Sequence, residues 1–235
     1  MISDPTGQCI RHIIRHCDIT DKTVLIVGCG KVRVTEDLAR HTRKIKALDP
    51  DEKALAAAKA RIASGDVEFS RGGGDTLEFP EQSFDIVIYP LSLHHIPVHA
   101  MQSSLKQAAG LLREEGKIIV IEPGAGGTLI ESEERFCVGD GNERGKKEAA
   151  QSALESLDGW EKGANIHFQT FFHFDSRKDF LDNLLPWHRL IPESTLHGIG
   201  SFLKMHQENG RIILYADRKM NILTRKNQSA NDGVQ

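Results

Sequence analysis

The 235-residue chain has no apolar run long enough to span a membrane. Its first residues, MISDPTGQC, lack the apolar region of a secretory signal. Neither a membrane-spanning nor an exported protein is expected, and the expected location is the cytoplasm. There is no excess of basic charge: 30 Lys and Arg face 33 Asp and Glu, for a net charge of −3. That balance argues against nucleic acid as the main partner. The four cysteines, Cys9, Cys17, Cys29 and Cys137, are scattered and form no pair of Cys-x-x-Cys knuckles. Reduced thiols are expected rather than disulfides or a zinc ribbon. No internal repeat is visible.

What is present is enough chain for one sizeable core. It is organised around residues 24–38, VLIVGCGKVRVTEDL. The apolar run Val24-Leu25-Ile26-Val27 stops at Gly28-Cys29-Gly30, and helix-forming sequence follows. A buried strand feeding a glycine turn and then a helix opens a nucleotide-binding α/β unit. Further apolar segments at 44–48, 67–70, 86–89 and 117–121 alternate with helical patterns at 35–40, 51–63 and 97–113. The last of these helices turns Met101, Leu105, Ala108 and Leu112 inward, and Gly116 is expected to end it. The fold class this predicts is α/β: a single Rossmann-like parallel sheet of about seven strands with helices on both faces and right-handed crossovers. The C-terminal strand is expected to be antiparallel.

The flanks are less regular. Asp4 and Pro5 read as the N-cap and first position of an N-terminal helix within residues 1–19. Its inward stripe would be Ile10, Ile13, Ile14 and Cys17. Cys9, His12 and His16 would share another face, where they could reach one metal; an exposed polar face is the favoured reading, and no metal site is assigned. Residues 124–145 are rich in glycine and acids, and 124–165 is the expected lid or insertion. A helix at 146–157, an aromatic strand at 166–174, helices at 177–185 and 192–206, and a strand from 211 to 223 follow. Phe172 and Phe174 should share one face of the aromatic strand, with Phe171 and His173 on the other. One domain over 1–224 and a disordered tail at 225–235 are expected.

Asp49 ends the second strand, roughly twenty residues past the glycines, where an acid can accept ribose hydroxyls. Asp75, in the turn GGGDT after the third strand, could accept an adenine amino hydrogen. Both positions belong to the carboxyl ends of parallel strands, where open α/β sheets bind ligands. A dinucleotide fingerprint would need a small residue where Arg33 stands, so NAD is disfavoured.

Taken in order, VLIVGCGKV, KALDPDEKALAAAKAR, GGGDTLEFPEQSFDIVIYPLSLHHI and LLREEGKIIVIEP resemble the successive motifs of the class I S-adenosylmethionine-dependent methyltransferases. The chain is most similar to the small-molecule branch that includes quinone-biosynthesis enzymes, over residues 20–123. The resemblance implies S-adenosyl-L-methionine as cofactor and a small-molecule acceptor, with Gly28, Cys29 and Gly30 along the methionine and ribose. Asp49 and Pro50 would serve the ribose, Asp75 and Thr76 would flank the adenine, and Pro90 and Leu91 would touch the cofactor from the fourth strand. His94, His95 and Glu122 are the candidates for contact with the acceptor or for a base; His95 and His99 are read as one helical turn apart. The chain departs from the family at Ile26, Lys31 and Val32. The alternative is therefore a non-catalytic binding or regulatory relative with a degenerate first motif.

Overall fold

The structure, a computed structural model, describes residues 1–30, 33–62, 65–139, 141 and 143–226. The sequence readings at Lys31 and Val32, at 63–64 and in the tail from 227 lie outside the described residues. The chain begins with β1 (Ile2–Ser3), α1 (Gln8–His16), β2 (Thr23–Val27), α2 (Arg33–Leu38), β3 (Lys44–Asp49) and α3 (Glu52–Arg61). Then come β4 (Val67–Arg71), β5 (Phe84–Pro90), α4 (Val98–Leu111), β6 (Leu112–Pro123), α5 (Thr128–Phe136) and α6 (Arg144–Glu155). The last elements are β7 (Trp160–Lys162), β8 (Ile166–Phe174), α7 (Arg177–Leu184), α8 (Glu193–Met205), β9 (Gln207–Glu208) and β10 (Arg211–Arg225). No described helix is long and apolar enough to cross a membrane.

The chain forms two compact units. The larger comprises Ile13–Glu122, Gly145–Ile166 and Lys219–Gln235; the smaller comprises Met1–His12, Pro123–Arg144 and His167–Arg218. The segment 124–165 therefore holds α5 in the smaller unit, and β7 and nearly all of α6 in the larger.

In the larger unit the strand order is β4-β3-β2-β5-β6, with the end of β10 beyond β6. The pairs β2–β3, β2–β5, β3–β4 and β5–β6 are parallel. β2 is flanked on both edges and covered on both faces, which is why it reads as an unbroken apolar run. Val24, Leu25, Ile26 and Val27 are all buried. The sheet and helices close over one core that includes Leu25, Val87, Tyr89, Leu105, Val120 and Leu154. Tyr89 enters that core only because its hydroxyl meets the hydroxyl of Ser104 at 2.8 Å. Asp51 caps α3 by accepting the N–H of Lys53.

Several boundaries differ from the sequence reading. Gly116 does not separate helix from strand. α4 stops at Leu111 and β6 begins at once, with a register irregularity that sets Phe84 opposite Leu112 but Ile86 opposite Lys117. The extra residues, Gly116 among them, are absorbed there. Asp4 does cap α1, but from further away: it sits at φ +46, and its carboxylate accepts the N–H groups of Gln8 and Cys9 at 2.8 and 2.9 Å. Pro5 thus lies in a turn before the helix. Cys9 is buried, while Ile14 and His16 are exposed. The face read as exposed and polar is therefore not uniformly so, since Cys9 is buried and His12 half-buried.

In the smaller unit β1 pairs antiparallel with β8, β8 neighbours β10, and β9 pairs antiparallel with β10. The β9–β10 hairpin turns at Asn209 and Gly210, both at positive φ, as the tight hairpin turn requires. Phe172 and Phe174 are buried and Phe171 and His173 half-buried, the alternation expected of β8. Phe174 and Phe180 meet edge to face at 5.1 Å within a core that also holds Phe202 and Leu214. α5 was not expected. Its first turn is set by Gly127, at φ +115, where any Cβ would lie 2.5 Å from the carbonyl of Tyr215. The hydroxyl of Thr128 accepts the N–H of Tyr215.

Leu25 is fully buried and Leu190 is 85 % exposed. Leu25→Ala should cost about 2–5 kcal/mol in urea unfolding, and Leu190→Ala less than about 0.5 kcal/mol. Equal effects would contradict this assignment of the core.

Candidate functional site

The strand order reverses direction at β2. The chain moves outward to β3 and β4, then returns to β5 on the other side of β2. The carboxyl ends of β2 and β5 are the switch point at which open α/β sheets leave a crevice. A separate hollow of about 350 Å³, lined by Cys17, Asp18 and His41 among others, lies before β2 and β3, at the opposite strand ends. The sequence candidates all fall at the carboxyl ends.

The glycine turn is held from two sides. Gly28 sits at φ +77 and Gly30 at φ +47, backbone that side chains rarely adopt. The N–H groups of Gly28 and Cys29 both donate to the carbonyl of Leu48, each at 2.9 Å. Asp49, at the next position of β3, accepts the Gly30 N–H on Oδ2 at 2.7 Å and the Asp51 N–H on Oδ1 at 2.9 Å. Asp49 is buried, so these charge-assisted bonds offset its desolvation. Each oxygen keeps a further lone pair for another donor. The acid picked out by spacing is thus also the strap that shapes the turn.

Ser92 is the residue that sequence reasoning missed. It follows β5, and its hydroxyl donates to the carbonyl of Val27 at 2.5 Å. A Cβ at Gly28 would fall 2.5 Å from Ser92 Cβ. Gly28 is therefore needed both for its φ and for the approach of the β5 loop. A lone serine after a strand carries no sequence signal; only the tertiary contact reveals it. Leu91, just before it, occupies the left-handed region at φ +61, which costs roughly 1–2 kcal/mol. Its N–H donates to the Ile121 carbonyl at 2.8 Å. The loop after β5 is tied to β2 on one side and to β6 on the other.

Pro50 is exposed, and Pro90 and Leu91 are half-buried. Asp75 and Thr76 are exposed, in a turn that Gln107 of α4 holds from both ends. Gln107 Nε2 donates to the Asp75 carbonyl at 3.0 Å, and its Oε1 accepts the Leu77 N–H at 2.8 Å. Gln107 was also invisible in the sequence. Ile26 is fully buried and paired in register with Ala47 and Ile88, so it packs the sheet. Arg33 bonds Asp37 one turn along α2 at 2.9 Å.

The three sequence candidates His94, His95 and Glu122 lie close together but differ in burial. His94 and Glu122 are both buried, and Nδ1 of His94 lies 2.5 Å from Oε2 of Glu122. Glu122, readable from sequence as a solvated strand-end acid, is instead part of a buried pair. His95 is exposed, with its ring 4.0 Å from that of His94. It lies in a 3₁₀ turn (Leu93–His95), and Ile96 is extended before α4 begins. His95 and His99 are therefore not one helical turn apart.

Cys29 lines the turn as a buried thiol, pushed up to about 12 by burial and then by the Asp49 carboxylate.

Residues 25–120 match the family model described as a methyltransferase domain. A ubiquinone biosynthesis O-methyltransferase from Azoarcus sp. is 32 % identical over 100 residues, 39 % of this chain and 42 % of that protein. A demethylmenaquinone methyltransferase from Bacillus licheniformis is 30 % identical over 104 residues, 43 % of this chain and 44 % of that protein. The chain thus spans less than half the length of these curated relatives. In fold, a candidate methyltransferase from Bacillus halodurans superposes with a TM-score of 0.66 at 19 % identity, over 94 % of this chain and 100 % of that one. An S-adenosylmethionine-dependent methyltransferase from Mesorhizobium loti gives 0.53 at 13 % identity, over 91 % and 99 %. The fold is that of the Rossmann-like class I methyltransferases.

At pH 8 a thiol of this pKa is ionised to on the order of one part in ten thousand, and the thiolate is the reactive form. Iodoacetamide followed by peptide mass mapping should label exposed Cys137 and leave Cys29 unmodified. The folded-state value lies above the ordinary 9.0. The stabilising effect of the neutral thiol is therefore complete below pH 9 and declines as pH rises toward 12. Labelling of Cys29 as fast as Cys137 would contradict its burial.

Proposed function

We propose that this protein binds S-adenosyl-L-methionine at the carboxyl ends of β2 and β3 and transfers its methyl group to a small-molecule acceptor. The observation that carries the reading is the Asp49 strap across the glycine turn, at the switch point of a domain with this family match. The donor set fits an adenosyl group. A Cβ placed on Gly30 would meet nothing within 4 Å, so the turn leaves room beside Asp49. Asp49 and Asp75 offer carboxylate oxygens, which suit ribose hydroxyls and an adenine amino group. Gly28, Cys29, Gly30 and Pro50 would line the methionine and ribose, Thr76 the adenine, and Pro90 and Leu91 the approach from β5.

The cofactor supplies an electrophilic methyl group on a sulfonium. The chain's part is to hold the acceptor in line and exclude water, which can supply roughly 7–11 kcal/mol of a barrier in favourable cases. The names of the relatives favour an oxygen acceptor on a quinone precursor or a similar small molecule. Charge balance supports neither nucleic acid nor a membrane as partner, and four cysteines outside any disulfide suit a reducing cytoplasm.

Titration calorimetry with S-adenosylhomocysteine tests the reading. Wild-type protein should bind, and Asp49→Ala should lose about 1–3 kcal/mol of binding through its charge-assisted hydrogen bonds. No binding at millimolar ligand would refute the proposal. Binding without transfer to any acceptor would favour the regulatory alternative.

A further inference from the structure

We infer that Gln107 of α4 is the positioning residue for the cofactor's base: by bridging both ends of the turn that carries Asp75, it makes the site select a purine with an exocyclic amino group over one with an oxo group. This rests on the adenosyl-binding reading of the same strand ends.

The turn lies in the loop between β4 and β5, and the contacts that hold it all belong to the larger unit. The single amide of Gln107 meets both of its ends. Nε2 donates to the Asp75 carbonyl at 3.0 Å, and Oε1 accepts the Leu77 N–H at 2.8 Å. A second bond from Nε2, to the Ser103 hydroxyl at 3.2 Å one turn earlier on α4, fixes the amide's own orientation. α4 is a firm base for this, because its inner face is buried. At its start the turn is tied to Asp49, whose carbonyl accepts the Gly72 N–H at 3.2 Å. Two glycines then let the turn close. A Cβ on Gly73 would collide with Oδ1 of Asp75, so the carboxylate is folded back over the Gly73 backbone. A Cβ on Gly74 would collide with Ile96 and lie 3.0 Å from Cγ1 of Val27, so the turn is seated on the last residue of β2. The exposed carboxylate of Asp75 therefore stands in a set place relative to the glycine turn that opens at Gly28.

An ionised carboxylate only accepts hydrogen bonds, so it pairs with an amino group and repels an oxo group in the same place. That preference is not automatic. A 6-oxo purine carries a proton on the neighbouring ring nitrogen, and a carboxylate able to shift finds a donor there. One held in place does not. A site built around a hydrogen-bonding group rejects the analogue that lacks the matching group, because its own group is left unpaired. Asp75 is exposed, and water pairs with it whenever the turn moves, so discrimination here depends on the turn being held beforehand. The Gln107 amide supplies that hold, with one donor and one acceptor matched to the two peptide groups it spans. Gln107 acts through Asp75 rather than on the ligand.

The measurement is the ratio of two affinities, taken by calorimetry with S-adenosylhomocysteine and its deaminated analogue S-inosylhomocysteine. Wild-type protein should prefer the adenosyl compound by about tenfold or more. Gln107→Ala should bind the adenosyl compound about tenfold more weakly and the inosyl compound less than about threefold more weakly, bringing the ratio toward one. A residue that merely supported the fold would weaken both alike and leave the ratio where it was. Asp75→Ala should also bring the ratio toward one, and adding Gln107→Ala to it should change the ratio no further, since the two act as one unit. A further change in the double variant overturns the inference. Gln107→Glu keeps the side chain's shape but sets an acceptor against the Asp75 carbonyl. It should lower the ratio as well, and it decides the question if Gln107→Ala does not fold. An unchanged ratio in the Gln107 variants, or a wild-type protein indifferent to the base, overturns the inference while leaving the adenosyl site standing. No binding of S-adenosylhomocysteine would instead refute the adenosyl reading, and this inference with it.

Discussion

The bond from the Gly30 N–H to the Asp49 carboxylate is the constraint on which the rest of the site depends. It joins the end of β2 to the end of β3 through a side chain rather than the sheet ladder. A glycine turn with two positive φ values has little conformational preference of its own. Asp49, buried and bonded also to Asp51, selects one shape for it. The same contacts account for the inertness of Cys29: the turn buries the thiol, and the carboxylate that shapes the turn opposes a second negative charge beside it.

A second set of ties positions the loop after β5. The loop after β5 is bound to β2 by Ser92, to β6 by Leu91 and to Glu122 by His94. Leu91 accepts a left-handed backbone, and Gly28 gives up any side chain, so that this loop can close on the turn. Strain and small residues gathered at one set of strand ends are what a ligand site demands of a fold otherwise built for packing. Here the cost is local, because Leu25, Val87 and Tyr89 behind it are fully enclosed.

What could be read from sequence was what depends on neighbours in the chain. The buried run before Gly28, the strand end at Asp49 and the alternation of β8 follow from short-range pattern, and the structure shows each. Asp4 was legible as a cap but not as one acting across a turn, because the spacing rule presumes that the helix starts at once. α5 was hidden by a glycine-rich, acidic segment whose helix starts where Gly127 and Thr128 meet β10. β9 is two residues long and exists only as the partner of β10. Ser92 and Gln107 act across the fold and leave no local trace. The face of Cys9, His12 and His16 read as exposed, and Cys9 is buried. The pairing of Glu122 with His94 needed two strands to be placed side by side.

The family match covers residues 25–120, and the smaller unit lies outside the matched residues. The adenosyl site is the part of the account that everything else requires. A crystal structure of the protein grown with S-adenosylhomocysteine tests it most directly. The account predicts the ligand along Gly28–Gly30, with its ribose hydroxyls on the Asp49 carboxylate and its adenine beside Asp75. A ligand bound elsewhere, or one that leaves Asp49 without contact to it, would contradict the account.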